Sequence, residues 1–114
     1  MGTDALWHVV LVAFREDTPL AARQKIYGRY QTLAEECGGR KSGILFYQAD
    51  WNRNLSKGDH LVEVAVFASD AAFQAYRRHP KHAELTEMLK VIADWHGGEI
   101  PLNFAAISVA FNED

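Results

Sequence analysis

Three short segments of the chain concentrate β-branched and aromatic residues, which is typical of β-strands: residues 7–14, 43–51 and 60–67. In the first segment, both alternating faces are apolar except at His8. The third has one face of valines, and its other face carries Leu61, Glu63, Ala65 and Phe67. A strand that is apolar on both faces is expected to be covered on both sides.

The segment between the first two predicted strands has the periodicity of an amphipathic helix. Its apolar stripe advances in steps of four, three and four residues and consists of Ile26, Tyr30, Leu33 and Cys37. Pro19 suits the start of a helix, and the glycines Gly38 and Gly39 suit its end. We therefore predict a helix from about Pro19 to Cys37.

A second helical region follows Ser69, a good N-cap, and is interrupted at Pro80. The residue before a proline, His79, is biased away from the helical conformation, so the helix is expected to break there. Beyond the break, an apolar stripe predicts a helix that continues to Trp95: Leu85, Met88, Leu89, Ile92 and Trp95. Residues 96–103 then predict a loop, and residues 104–111 predict the last strand.

The predicted order is β-α-β-β-α-β, which is the pattern of a ferredoxin-like α+β sandwich with helices on one face of an antiparallel sheet. The helices cover only one face, yet the first predicted strand is apolar on both. The same face of a second copy is the simplest cover, because a two-fold dimer joins identical surfaces. We therefore predict an obligate homodimer that forms through the open face of the sheet.

Composition narrows the class of protein further. A chain of 114 residues, 48% of them hydrophobic, is expected to form a single domain, residues 1–114. The lone Cys37 and the lack of a signal peptide favour a reducing, cytoplasmic setting, and no apolar run approaches a membrane span. Acidic and basic residues are mixed, with a net charge of -3, which argues against a nucleic-acid partner.

Two polar residues flank the break at Pro80 and are the candidate catalytic pair. Tyr76 follows Phe73 by three positions and His82 precedes Leu85 by three, so both are expected to point inward. A neutral imidazole can act as a general base, and a tyrosine hydroxyl can donate to an oxyanion. The alternative is that both side chains only pack at the break, with their polar tips bonded to backbone.

His8 is the candidate ligand-binding residue, because it is the polar position on its strand face. It could equally be a core histidine bonded to backbone. His60 and His96 lie at element ends and are expected to be exposed. The histidine spacing does not favour a metal site, and no glycine-rich phosphate loop follows a strand, so we predict neither a metal nor a cofactor.

Three stretches of the sequence resemble one known family, the stress-responsive A/B barrel (Dabb) domain. They are "HVVLVAF", "NLSKGDHLVEVAVFAS" and "FQAYRRHPKHAELTEML", and the resemblance extends over roughly residues 7–111. The most specific part is an aromatic residue followed by "HPxH", here Tyr76, His79, Pro80 and His82. The resemblance implies a dimeric α+β barrel, in agreement with the topology predicted above.

The "YxxHPxH" arrangement is also similar to that of the plant olivetolic acid cyclase, a cofactor-free polyketide cyclase of this family. The resemblance implies that the catalytic pair falls on Tyr76 and His82, and a pocket histidine on His8. A further pocket histidine of that enzyme aligns with Leu61, one position from His60, which leaves the substrate open.

The predicted function is therefore a stress-linked homodimer with a small-molecule pocket for a carbonyl or phenolic ligand. Whether it is an enzyme stays open. The alternatives are a cofactor-independent cyclase or lyase that uses Tyr76 and His82, a monooxygenase of the dimeric α+β barrel type, and a binding protein without catalysis.

Overall fold

A computed structural model describes residues 4–103 of the chain. These residues form four β-strands, three α-helices and a short 3-10 helix. In chain order they are β1 Leu6–Phe14, α1 Leu20–Glu36, the 3-10 helix Gly39–Ser42, β2 Ile44–Trp51, β3 Leu61–Phe67, α2 Asp70–Arg78, α3 Pro80–Lys90 and β4 Ala93–Pro101.

The four strands form one antiparallel sheet in the order β2-β3-β1-β4. Helix α1 connects β1 to β2, and β2 lies on the far side of β3 from β1. This is the ferredoxin-like arrangement. The predicted α+β class and ferredoxin-like topology are confirmed, and the first three strands agree with the sequence pattern within one residue.

The last part of the described chain differs from the prediction. The helix expected to reach Trp95 ends at Lys90, and Trp95 lies in β4, opposite Val12 of β1. The pairing with β1 decides this, since it joins Leu6–Phe14 to Ala93–Pro101 along their whole length. The strand predicted at residues 104–111 lies outside the described residues.

Gly97 of β4 allows this segment to pair closely with β1. A Cβ atom on Gly97 would lie 2.5 Å from the carbonyl oxygen of Val9, so only glycine fits this close approach. Glycine is also unfavourable inside a helix. The apolar stripe that predicted the helix thus includes Ile92 and Trp95, which lie beyond the end of α3 at Lys90.

The break between α2 and α3 lies where the sequence predicts it. His79 is extended, with φ -65° and ψ 139°, and its Nδ1 accepts a hydrogen bond from the backbone N–H of Lys81 at 3.1 Å. Its side chain thus caps α3, whose first residue is Pro80. Ser69 caps α2 by accepting from the N–H of Ala72 at 3.1 Å, so both caps have a defined partner.

The core fills the space between the helices and one face of the sheet. On β1 this face carries His8, Val10, Val12 and Phe14, all buried. The opposite face of the sheet is apolar at its centre, with polar residues such as Gln48 and His96 on its edge strands, and it stays open in the described chain. There Val9, Phe46 and Ile100 are 38%, 46% and 64% exposed. Trp7 lies on the same face and packs edge-on against Phe46 at 6.3 Å between ring centroids.

Candidate functional site

A cleft of about 530 Å³ opens between the helices and the sheet, on the side of β1 and β4. Its walls come from β1, β3 and β4 below and from all three helices above. The side chains along it include His8, Glu63, Arg77, His82, Trp95 and Glu99. A cleft of this size between layers of structure is typical of small-molecule sites.

Glu63 lies at the centre of the polar cluster in this cleft. It is a residue of β3 that faces the helices, and it is only 2% exposed. Its Oε2 accepts a hydrogen bond from the hydroxyl of Tyr76 at 2.5 Å, and its Oε1 lies 3.2 Å from Nε2 of His8. Glu63 was not among the residues predicted for the site, although it is the charged position on an otherwise apolar strand face.

His8 lies between two carboxylates. Its Nε2 faces Glu63, and its Nδ1 lies 2.9 Å from Oε2 of Glu99 on β4, while the residue itself is 7% exposed. Burial lowers the pKa of His8, but the hydrogen bonds and charges of Glu63 and Glu99 outweigh burial, so the pKa is raised. The structure brings His8 into the cleft, as predicted, and both of its ring nitrogens already have partners.

Tyr76 lies deeper in the core than a pocket-lining residue would. It is 2% exposed, packs against Phe67 at 5.0 Å between ring centroids, and does not line the cleft. Burial raises its pKa, and the charge of Glu63 raises it further. Its hydroxyl donates to Glu63 in this structure. Its role as a donor to an oxyanion stays a prediction.

His82 lies in the first turn of α3, and its ring packs edge-on against that of Tyr76 at 4.8 Å between centroids. It lines the cleft, as predicted, and is partly buried. Burial lowers the pKa of His82, and the charges of His8 and Arg77 add to this against the opposing effect of Glu63. Within residues 4–103 its ring has no hydrogen-bond partner, and the lowered pKa favours the neutral imidazole, which faces the cleft.

The other two histidines have different positions. His96 is exposed, as predicted. The prediction that His60 is exposed was wrong: it is partly buried, its ring lies 5.8 Å from that of Phe14, and its Nδ1 accepts from the N–H of Phe14 at 2.9 Å. His60 faces the end of β1 and contributes to the fold rather than to the cleft.

Two further observations concern partners of the chain. The described residues contain no group of three or more histidine, cysteine or acidic side chains with the arrangement of a metal site. In the same residues, every helix is too short or too polar to pass through a bilayer. Cys37 is a free, buried thiol, and burial raises its pKa to about 11.

Solved structures with this fold come from several bacteria and a plant. A dimeric protein of unknown function from Bacteroides fragilis has a TM-score of 0.72 at 17% identity, over 86% of this chain and 96% of that one. The hydroxynitrile lyase of Passiflora edulis has a TM-score of 0.72 at 13% identity, over 89% and 95%. A cofactor-independent oxygenase from Streptomyces nogalater has a TM-score of 0.65 at 15% identity, over 88% and 94%.

These identities are low, so the solved structures show a shared fold and no more. None of the curated protein sequences matches the chain. A family model described as the stress responsive A/B barrel domain matches residues 6–96. Because that match covers most of the chain, the protein belongs to the stress-responsive A/B barrel (Dabb) domain family.

Proposed function

We propose that this protein binds a small carbonyl or phenolic compound in the cleft between its helices and its sheet. The observation that carries the proposal is the cleft of about 530 Å³ with the imidazole of His82 on its wall, a ring without a hydrogen-bond partner within residues 4–103. A concave site with few, convergent polar groups is the usual form of a ligand pocket. Trp95 and Arg77 add an aromatic ring and a cation to the same wall.

The chemistry that fits this wall is proton transfer without a cofactor. A neutral imidazole is a suitable base near neutral pH, and burial favours that form of His82 by lowering its pKa. In the proposal His82 takes a proton from the carbon beside a carbonyl group, and the electron pair of that C–H bond moves into the enolate. Tyr76 supports the wall behind His82 through its bond to Glu63.

This reaction class would make the protein a cyclase-like or lyase-like enzyme. Two proteins that share its fold, the hydroxynitrile lyase and the cofactor-independent oxygenase, are enzymes. Fold similarity by itself is a weak argument for function. Turnover is therefore tested together with binding.

A ligand screen by thermal shift tests the proposal, with small β-keto compounds and phenolics as probes. A compound that binds the folded protein raises Tm, and the effect grows with its concentration. The useful pair of variants is Arg77→Gln and Arg78→Gln, since both arginines are exposed on α2 and only Arg77 lines the cleft. We expect Arg77→Gln and His82→Gln to weaken the Tm shift and Arg78→Gln to preserve it.

The site assignment is wrong if ligand shifts are the same in all three variants. A separate experiment tests the base role. Probes that bind are incubated in deuterated water, and proton NMR follows the exchange of their acidic C–H protons. Exchange that is accelerated by the wild-type protein and lost in His82→Gln supports the base role. Equal exchange in both proteins contradicts it.

We further propose that the protein is a homodimer joined through the open face of the sheet. The exposed apolar residues Val9, Phe46 and Ile100 support this, because a monomer would leave them in water. The Bacteroides fragilis protein with the same fold is described as dimeric. Sedimentation at micromolar concentration tests the proposal, and a species of the monomer mass, 12.8 kDa, would contradict it.

A second candidate function is a binding protein without catalysis, in which the polar cluster only stabilises the core. One observation favours it: among residues 4–103, no buried side-chain nitrogen or oxygen lacks a hydrogen-bond partner. The two candidates differ at His82, which has no such partner in the described chain. If His82→Gln and Tyr76→Phe destabilise the protein equally, the structural role is favoured.

A further inference from the structure

Both ring nitrogens of His8 face carboxylate oxygens, one from each neighbouring strand. The distances are 3.2 Å from Nε2 to Glu63 and 2.9 Å from Nδ1 to Glu99. A neutral imidazole has one N–H, so its second nitrogen would present a lone pair to an oxygen lone pair. Both contacts are favourable when His8 carries two protons, or when one of the facing carboxyl groups carries a proton.

Glu63 is held too firmly to turn away from this contact. Its other oxygen accepts from the hydroxyl of Tyr76 at 2.5 Å, and the side chain is 2% exposed. A buried carboxylate needs a cation or several hydrogen bonds to offset its lost hydration. The described surroundings provide one such cation within hydrogen-bond distance, the imidazolium of His8.

His82 lies on the opposite side of the cluster, in a different environment. Its ring packs on Tyr76, and no carboxylate of the described chain lies within ion-pair distance of it. Arg77, on the preceding helix, adds a positive charge to the same cleft. Among the described residues, burial and the charges of His8 and Arg77 disfavour a second proton on the His82 ring and outweigh the opposing charge of Glu63.

We propose that Glu63 is a positioning residue that keeps His8 doubly protonated, so that the cleft holds a positive charge at His8 together with a proton acceptor, His82. Sites that carry out acid and base chemistry near pH 7 commonly hold two titratable groups whose environments separate their protonation states. The acceptor role of His82 rests on the proposed function, whereas the protonation states do not.

The charged and titratable groups around His8 come from every element that borders the cleft. They are Glu63 on β3, Glu99 on β4, Tyr76 and Arg77 on α2, His82 and Glu87 on α3, Tyr30 on α1, and Tyr47 on β2, which lies beside Glu63. Of these, the carboxylates of Glu63 and Glu99 contact the His8 ring with oxygen atoms. Their combined effect raises the pKa of His8 above its ordinary value despite burial, while burial lowers that of His82.

Nitrogen NMR of the histidine rings tests the proposal on the intact, ligand-free protein between about pH 5 and about pH 9, the range in which imidazoles titrate. His8 and His82 are assigned from the signals that disappear in His8→Gln and His82→Gln. In the wild type we expect His8 to show two protonated nitrogens at neutral pH and His82 to show one. Glu63→Gln should lower the titration midpoint of His8 until the ring is neutral at that pH.

Two further variants make the result specific. Glu99→Gln should lower the midpoint of His8 by a smaller amount, because the side chain of Glu99 is 39% exposed and its charge is screened by water. Glu87→Gln is the matched control, since Glu87 lines the same cleft without contacting His8, and it should leave the midpoint unchanged. If Glu63→Gln does not fold, the wild-type spectrum and Glu99→Gln still decide the matter.

A neutral His8 in the wild type at neutral pH overturns the proposal, and so does a midpoint that stays the same in both Glu63→Gln and Glu99→Gln. A proton that resides on Glu63 instead would appear as a His8 ring with one protonated nitrogen. Because no ligand is present, failure of every carbonyl probe to bind leaves this result unchanged. Failure of the protonation assignment can therefore be told apart from failure of the proposed function.

Discussion

The hydroxyl of Tyr76 on α2 lies 2.5 Å from a carboxylate oxygen of Glu63 on β3, so a buried hydrogen bond joins the second helix to the centre of the sheet. Both side chains are 2% exposed. The second carboxylate oxygen continues the connection to His8 on β1. One acidic residue thus links two of the three polar positions that the sequence singled out.

We expect Tyr76→Phe to lower the free energy of unfolding by about 1–3 kcal/mol, because it leaves a buried carboxylate oxygen without its donor. Urea unfolding at neutral pH measures the change. Tyr27→Phe is the control, since the Tyr27 hydroxyl lies 3.3 Å from Asp50 at the surface. If the free energy of unfolding fell by the same small amount in both variants, the bond between Tyr76 and Glu63 would not stabilise the fold.

His82→Gln should show its effect mainly at acid pH. Burial lowers the pKa of His82 in the folded protein below the ordinary value of 6.5. The neutral ring therefore contributes stability that is present above pH 6.5 and is lost as pH falls through the lowered pKa. Urea unfolding over a series of acid pH values should show a smaller loss for His82→Gln than for the wild type, and identical curves would contradict this.

For His8 we expect the opposite dependence: the stability that it contributes is lost at alkaline pH. Its pKa is raised in the folded protein, so the stability it contributes is fully present below 6.5 and is lost as pH rises through the folded pKa. In Glu99→Gln the raised pKa moves down, and the variant should lose less stability than the wild type on going from acid to alkaline pH. Glu87→Gln, which retains both partners of His8, should follow the wild-type curve.

Val9→Glu should convert the proposed dimer into a monomer. Val9 lies on the open face of a central strand and is 38% exposed, so a carboxylate there would be forced between two apolar sheets. Leu20→Glu makes the same kind of change at a residue of α1 that is 66% exposed, and it should leave the assembly intact. Light scattering with size-exclusion chromatography measures both, with circular dichroism to check that each variant is folded.

A Val9→Glu protein that elutes with the wild type would place the interface elsewhere. A wild-type protein that is itself monomeric would remove the dimer altogether. In that case the exposed Phe46 and Ile100 would need another partner, because both belong to the same open face.

Much of the fold was predictable because it rests on local signals. The helix break depends only on Pro80 and its effect on His79. In the structure His79 is extended and caps α3, as this predicts. The spacing of Tyr76 from Phe73 and of His82 from Leu85 placed both residues towards the core, and the structure brings their rings to 4.8 Å. His60 was missed, since its bond to Phe14 depends on where the loop after β2 returns to β1.

By itself, then, the sequence determined three of the four described strands, α1, the break at Pro80 and the inward positions of His8, Tyr76 and His82. Periodicity and backbone stereochemistry suffice for these, because they act within a few residues. The tertiary structure decided β4 and the role of Glu63. Strand pairing placed Trp95 opposite Val12 instead of on a helix, and it brought Glu63 between His8 and Tyr76, residues that are distant in sequence.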